Sequence, residues 1–210
     1  MDEAMLDVIS YGSYYRLSRL SNQRADFEAD EEEWTEVLLS ADGLETPNIR
    51  IWAGRKGSAD TSAKERAHLI FDAQMIAESI ADDGMEVSFE YHGGTLTDTP
   101  ESAVEFIRAI DRPNAKLYWQ PNQFVSHEEN LRGLEKVLPY LSNVHVFAWE
   151  GREKFPLVHH RSRWLQYLEK IKNACPDAAH ALLLEFVCDD TEEQFKRDAE
   201  ELHHILKILG

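Results

Sequence analysis

The sequence predicts an α/β fold built on a parallel sheet, and three observations carry that reading. Short β-rich runs alternate with helical patterns six times along 210 residues, about 35 residues per unit. Strict strand-then-helix alternation requires helical crossovers between parallel strands. The longest purely apolar runs, such as residues 181–184, are strand-sized, whereas a membrane span needs about 20 apolar residues. At 43% hydrophobic residues, the chain has enough apolar mass for a core, so neither a disordered protein nor a membrane partner is expected.

The β-rich runs fall at residues 6–10, 48–53, 85–91, 116–120, 143–147 and 181–187. The earliest helical pattern, 30–41, carries Trp34, Val37, Leu38 and Ala41 on one face. In 62–82, Leu69, Ile70, Ala73, Ile76, Ala77 and Ile80 follow a 3.6-residue spacing. Ser62 with Glu65 forms a capping box at its start, and Gly84 is placed to end it. Asp98-Thr99-Pro100-Glu101 opens the next helix, with Pro100 suited to the first turn and Ala103, Phe106, Ile107 and Ile110 facing inward. Ser126 with Glu129 caps a further helix through Leu131, Leu134 and Leu138; Trp164, Leu165, Leu168 and Ile171 mark another. Thr191 with Gln194 caps the last, whose Phe195, Ala199, Leu202, Leu206 and Leu209 are spaced by three or four.

A closed eight-unit barrel takes about 250 residues, so this chain is about two units short. Two arrangements meet the count: an open doubly wound sheet, or a barrel missing a quarter of its wall. No internal repeat, low-complexity linker or composition break divides the chain, which reads as a single domain, 1–210.

Twenty-two basic against 39 acidic residues give a net charge of −17. Phosphate backbones are held by clustered Lys and Arg, so a nucleic-acid partner is not expected. The acidic stretch 26–33 reads as a solvated loop and helix start, where carboxylates suit the helix N-terminus. Cys175 and Cys188 are too few for a disulfide framework, and Met1-Asp2-Glu3 is acidic where a secretion signal needs a basic region. A cytoplasmic location is the expectation.

Strands buried on both faces read as nearly continuous apolar runs, yet the last four break that rule near their C-terminal ends. Val87-Ser88-Phe89 runs into Glu90 and Leu117-Tyr118-Trp119 into Gln120; His145 sits between Val144 and Val146, and Leu182-Leu183-Leu184 ends at Glu185. Taken singly, each has a structural explanation: a loop-capping carboxylate or a hydrogen-bonded core histidine. Their separations of 30, 25 and 40 residues each approximate one βα unit. Neighbouring strands would therefore bring four polar side chains to one mouth of the sheet, where ligands bind in α/β folds. Two Glu, one His and one amide oxygen suit a divalent ion such as Mn²⁺, Co²⁺, Mg²⁺ or Zn²⁺. The absence of thiolates speaks against a closed structural zinc site.

These residues carry a resemblance. Asn48-Ile49-Arg50-Ile51-Trp52-Ala53-Gly54, Phe89-Glu90-Tyr91-His92, Trp119-Gln120-Pro121-Asn122, Asn143-Val144-His145-Val146-Phe147 and Leu184-Glu185-Phe186-Val187 resemble the xylose-isomerase-like TIM barrels. That superfamily holds sugar and sugar-phosphate isomerases and epimerases as well as apurinic endonucleases. The resemblance runs from about Ile9 to the C-terminus and implies that Glu90, Gln120, His145 and Glu185 hold one metal ion. Two departures stand out. Ketose epimerases commonly carry Asp followed three residues later by His, where this chain has Gln120 and Gln123; a neutral amide leaves the site less negative. The family's first two βα units also have no counterpart here, so a barrel N-terminally truncated to about six βα units is expected. Its open edges invite association, and a homodimer or a rearranged partial barrel follows.

The resemblance implies a metal-dependent sugar or sugar-phosphate isomerase or epimerase, with Glu90 and Glu185 exchanging protons beside a carbonyl through an enediolate. His92, Trp119, Asn122, Trp149 and Arg152 are candidate substrate contacts, and 11–16 a candidate pocket wall. For the tryptophans, core packing is the competing reading; for Arg152 and Lys154 it is a solvated loop. His159-His160 and His203-His204 are not read as metal sites, because adjacent helical residues diverge and no acidic or thiol set completes them. A non-catalytic or ligand-binding barrel remnant is the alternative. An apurinic-site nuclease is disfavoured by the acidic charge.

Overall fold

The computed structural model describes residues 6–17 and 24–210, and for 24–30 the backbone alone. The leader reading of Met1-Asp2-Glu3 lies outside the described residues. The chain forms two compact units, Met1–Tyr118 and Trp119–Gly210.

In the first unit, strands β1 (Tyr11–Arg16), β2 (Asn48–Trp52), β3 (Glu86–Glu90) and β4 (Ala115–Trp119, whose last residue belongs to the second unit) are neighbours in that order. All pairs are parallel: Ile49 faces Val87, Ile51 faces Phe89, and Glu90 faces Tyr118. Helices α1 (Arg24–Gly43), α2 (Ala63–Ser79) and α3 (Pro100–Ile110) follow the first three strands. The capping box of Ser62 and Glu65 starts α2 as expected. Gly84 lies beyond the helix end, in a turn at φ 71 that returns the chain to β3. Thr99 caps α3 with Pro100 in its first turn, and Asp111 ends it in the left-handed region. The core closes where Phe89 meets Phe106 edge-on, centroids 5.0 Å apart.

The first strand is not where periodicity put it. Residues 6–10 form no strand, and Leu6 and Ile9 are 64% and 48% exposed. The strand is instead the segment expected to be a pocket wall. Within β1, Ser13 and Tyr15 point inward, and the Ser13 hydroxyl donates to the Arg50 carbonyl at 3.2 Å. An edge strand of small polar and aromatic residues has no aliphatic signature to read.

In the second unit, helix α4 (His127–Val137) begins at the Ser126–Glu129 capping box. Strand β5 (Leu141–Val146) is buried throughout and pairs in parallel with β8 (Leu182–Leu184), Val144 facing Leu182 and Val146 facing Leu184. Between them come β6 (Trp149–Glu150) and β7 (Glu153–Lys154), a short antiparallel hairpin without a sequence signal, then helix α5 (Arg161–Ala174). Helix α6 (Glu192–Leu209) starts at its Thr191 cap and is tied to α5 by Arg161 donating to both oxygens of Glu201. Trp119, Trp164 and Tyr167 pack edge-on at 5.2–6.5 Å, and Trp164 Nε1 donates to the Phe147 carbonyl at 2.8 Å. Among the described residues there are eight strands; leaving aside the β6–β7 hairpin, the other six alternate with six helices, the expected count. No helix among the described residues is long and apolar enough to cross a membrane.

Candidate functional site

In the second unit, three of the four proposed ligands meet at one atom. His145 Nδ1 lies 2.8 Å from Gln120 Oε1 and 3.4 Å from Glu185 Oε2. His145 is held by β5 at 7% exposure, and Gln120 stands one residue past β4. Glu185 directly follows β8, its backbone N–H still donating to the Val146 carbonyl at 3.0 Å. Immediately afterwards Phe186 takes φ 56, a left-handed backbone that costs an L-residue with a bulky side chain about 1–2 kcal/mol. This turn ends the pairing and sets the direction in which the Glu185 segment leaves the sheet. An amide oxygen and a carboxylate both aimed at one imidazole nitrogen need something positive between them, and a proton on Nδ1 supplies it. A divalent cation would meet the same three donors, one nitrogen and two oxygens, in a set suited to Mn²⁺, Co²⁺, Mg²⁺ or Zn²⁺.

In the first unit, Glu90 ends β3 at 3% exposure. Its carboxylate accepts from Trp52 Nε1 and pairs with Arg50 at 3.1 Å. Its carbonyl accepts from the Thr97 hydroxyl at 2.5 Å, and Thr95 ties the same loop to the His92 carbonyl at 2.7 Å. The loop after β3 is thus bound from below by two fully buried threonines. His92 stacks on Trp52 at 4.8 Å, and the Arg16 guanidinium covers the same indole at 3.5 Å. Burial, with Arg55 nearby, lowers the pKa of Arg16.

Arg50 stands in one of the runs that carry the resemblance but was given no site role there, although a signal was present. It is a cation in mid-strand, the same break in apolarity that singled out the later strands. Arg50 also donates to the Ser13 carbonyl at 3.0 Å. The neighbouring Gly12 leaves it room, since a Cβ there would stand 2.9 Å from its Nη2.

The substrate-contact candidates divide. Trp119 is 2% exposed within the Trp164–Tyr167 cluster, so its ring fills core. Asn122 builds the turn after Gln120: its side chain accepts from Phe124 N–H and its backbone is clamped by Asn130. Trp149 packs on Phe186 at 4.8 Å and Phe147 at 5.6 Å, with the Lys154 ammonium 5.6 Å from its ring. Arg152 stands exposed at the tip of the β6–β7 hairpin. His92 remains beside Glu90 on its Trp52 platform.

Parallel βα units ending in one carboxylate and one Gln–His–Glu cluster define an α/β protein with a metal-type donor set. The chain belongs to the xylose isomerase-like TIM barrel family, whose profile matches residues 1–154. Over 93 residues it is 41% identical to a 3-dehydroshikimate dehydratase of Bacillus anthracis, a stretch covering 44% of this chain and 33% of that protein. The match thus spans about a third of the length of that curated relative. Among solved structures, it is similar to the probable 3-DHS dehydratase involved in petrobactin synthesis from Bacillus anthracis (TM-score 0.73, 23% identity, 96% of this chain and 77% of that one). It is also similar to a xylose isomerase-like TIM barrel protein from Mycobacterium smegmatis in complex with magnesium (TM-score 0.69, 16% identity, 99% and 74%). These two likenesses establish the fold.

Proposed function

We propose that Glu90 joins Gln120, His145 and Glu185 in holding one divalent cation, and that the protein is an enzyme removing a proton next to a carbonyl of a small polyhydroxylated substrate. The observation that carries this reading is the convergence of Gln120 and Glu185 oxygens on His145 Nδ1. Pairing supports the inclusion of Glu90, because its partner across the ladder is Tyr118, two residues before Gln120. The bound cation supplies Lewis-acid polarisation of the carbonyl.

Glu90 and Glu185 are the proton-transfer pair. One carboxylate takes the proton from the carbon beside the carbonyl. Two outcomes branch from there. In an isomerase or epimerase of sugars or sugar phosphates, the proton returns to another carbon or face. In a dehydratase, the carbon–oxygen bond one atom further breaks, and the leaving hydroxyl takes a proton from the second carboxylic acid to depart as water. The 41% identity to a 3-dehydroshikimate dehydratase favours elimination. His92 is the candidate to orient the substrate beside Glu90.

The deciding experiment incubates the metal-supplemented protein with 3-dehydroshikimate, and separately with ketoses and ketose phosphates in deuterated water. Elimination gives an aromatic ultraviolet spectrum; epimerisation or isomerisation gives deuterium at carbon by NMR. Neither signal with any of the four metals would overturn the enzyme reading in favour of the non-catalytic remnant. Two unpaired cysteines fit a reducing cytoplasm. Exposed Leu6, Ile9 and Tyr14 beside and on β1 support a homodimer, which light scattering on the purified protein checks.

A further inference from the structure

Strand β1 ends on Arg16, the last residue of the segment that the sequence marks as a pocket wall. Its ladder partner is Trp52, the last residue of β2. The Leu17 N–H donates to the Trp52 carbonyl at 3.1 Å, so the two strand ends stay side by side. Above the backbone, the Arg16 guanidinium carbon lies 3.5 Å from the centroid of the Trp52 indole. His92 stacks on the same indole at 4.8 Å, and Tyr14 meets it edge-on at 5.9 Å. A stacked guanidinium keeps its in-plane N–H donors pointing outward, because the π contact uses only its face.

Those donors have no taker. Arg16 is part-buried, yet among the described residues no carboxylate pairs with it and no acceptor receives its N–H groups. Nearby cations are matched: Arg50 by Glu90 at 3.1 Å and Lys56 by Glu65 at 2.6 Å. One Glu90 oxygen, Oε2, already accepts from Trp52 Nε1 and meets Arg50. A second cation, Arg55, stands three residues past Trp52, beyond the turn that Gly54 makes at φ 85. Burial and then Arg55 lower the pKa of Arg16, and Glu90 offsets them only in part. Two like charges held together in a part-buried setting repel each other, and an anion between them relieves both costs. In a chain of net charge −17, such a local excess of cation runs against the overall balance.

We infer that Arg16 holds an anionic group of the substrate, a carboxylate or a phosphate, on the free N–H edge of its stacked guanidinium, with Arg55 as the second cation. This rests on the reading of Glu90 as a proton carrier. The Trp52 ring that carries Arg16 also donates to Glu90, so one indole sets the anchor and the reacting carboxylate relative to each other. Every group involved belongs to the first unit. A guanidinium fork meets either anion through paired hydrogen bonds. A neutral ketose gives it no such partner, so the site sorts substrates by charge.

The test is NMR of the metal-supplemented full chain carrying arginine labelled with ¹⁵N at Nε, the Arg16 signal being assigned by its loss in Arg16→Lys. Two anions are titrated: protocatechuate, the aromatic product of eliminating water from 3-dehydroshikimate, and dihydroxyacetone phosphate. Their neutral counterparts are catechol and dihydroxyacetone. The Arg16 signal should follow one anion and neither neutral compound; the anion it follows separates carboxylate from phosphate. By calorimetry, Arg16→Met should weaken that anion by about tenfold or more, and Arg55→Gln, in an exposed loop, by about threefold. The wild-type titration decides the matter even should Arg16→Met fail to fold. A signal that follows neither anion, or follows an anion and its neutral counterpart alike, overturns the inference, as does Arg16→Met binding the anion within about twofold of wild type. These readouts need no turnover. Anion binding at Arg16 in a protein without activity would sink the proton-transfer reading and keep this site; turnover of a neutral ketose with a silent Arg16 signal would do the reverse.

Discussion

The Arg50 guanidinium lies 3.1 Å from the Glu90 carboxylate, with the two side chains 11% and 4% exposed. Gly12 clears the space that the guanidinium occupies, so β1, β2 and β3 each contribute to one buried charge pair. Removing one partner of such a pair costs about 3–5 kcal/mol, because the remaining charge stays desolvated. Arg50→Met is expected to destabilise the protein by about that much in urea unfolding. The double variant Arg50→Met, Glu90→Met should recover part of the loss. A single variant within 1 kcal/mol of wild type would show that the pair contributes little.

Removing the imidazole tests the Gln–His–Glu cluster directly. His145→Ala and Glu185→Gln should each purify with less than about a tenth of the wild-type metal content by elemental analysis, while circular dichroism stays unchanged. Gln120→Asp adds a negative ligand and should raise metal affinity by about tenfold, measured by competition with a chelating dye. Full metal retention in His145→Ala would remove the imidazole from the ligand set.

Trp119 separates packing from binding. As a core residue, Trp119→Ala should cost about 3–5 kcal/mol of stability, read by denaturant midpoint. The same change at Trp149, half-buried near the hairpin, is expected to cost less and to act on ligand affinity. Equal stability losses at both positions would contradict this division.

Acid titration should reveal the cap of α2. The Glu65 carboxyl is lowered to about 2, by its hydrogen bond with Lys56 and then by those at Ser62. A depressed carboxyl pKa gives stability that is present above the unfolded value, near 4.5, and lost as pH falls through about 2. Glu65→Gln should therefore lower the melting temperature at neutral pH and flatten part of its decline across that window, the variant and wild type converging as pH falls to about 2. A ¹³C titration placing the Glu65 midpoint at the ordinary glutamate value would refute the expected linkage.

Much of this molecule was legible because its signals are local. Capping boxes at Ser62–Glu65 and Ser126–Glu129 and the caps at Thr99 and Thr191 fall where their hydrogen bonds form, since capping depends on residues three apart. The polar strand ends Gln120, His145 and Glu185 were visible as interruptions in apolar runs, and they meet. Leu6 and Ile9 misled, because aliphatic alternation marks a strand only when one side is buried, and here both residues face out. The β6–β7 hairpin is two residues per strand, too short for any periodicity.

Sequence alone determined the α/β alternation, the helix starts and the residue types competent to hold a cation, because backbone preference and side-chain chemistry are properties of the residue and its near neighbours. Tertiary structure decided that Arg50 neutralises Glu90 from 40 positions away and that Trp119 is core. Those outcomes depend on which side chains are desolvated together. Desolvation is set by packing between distant segments, which no local pattern encodes.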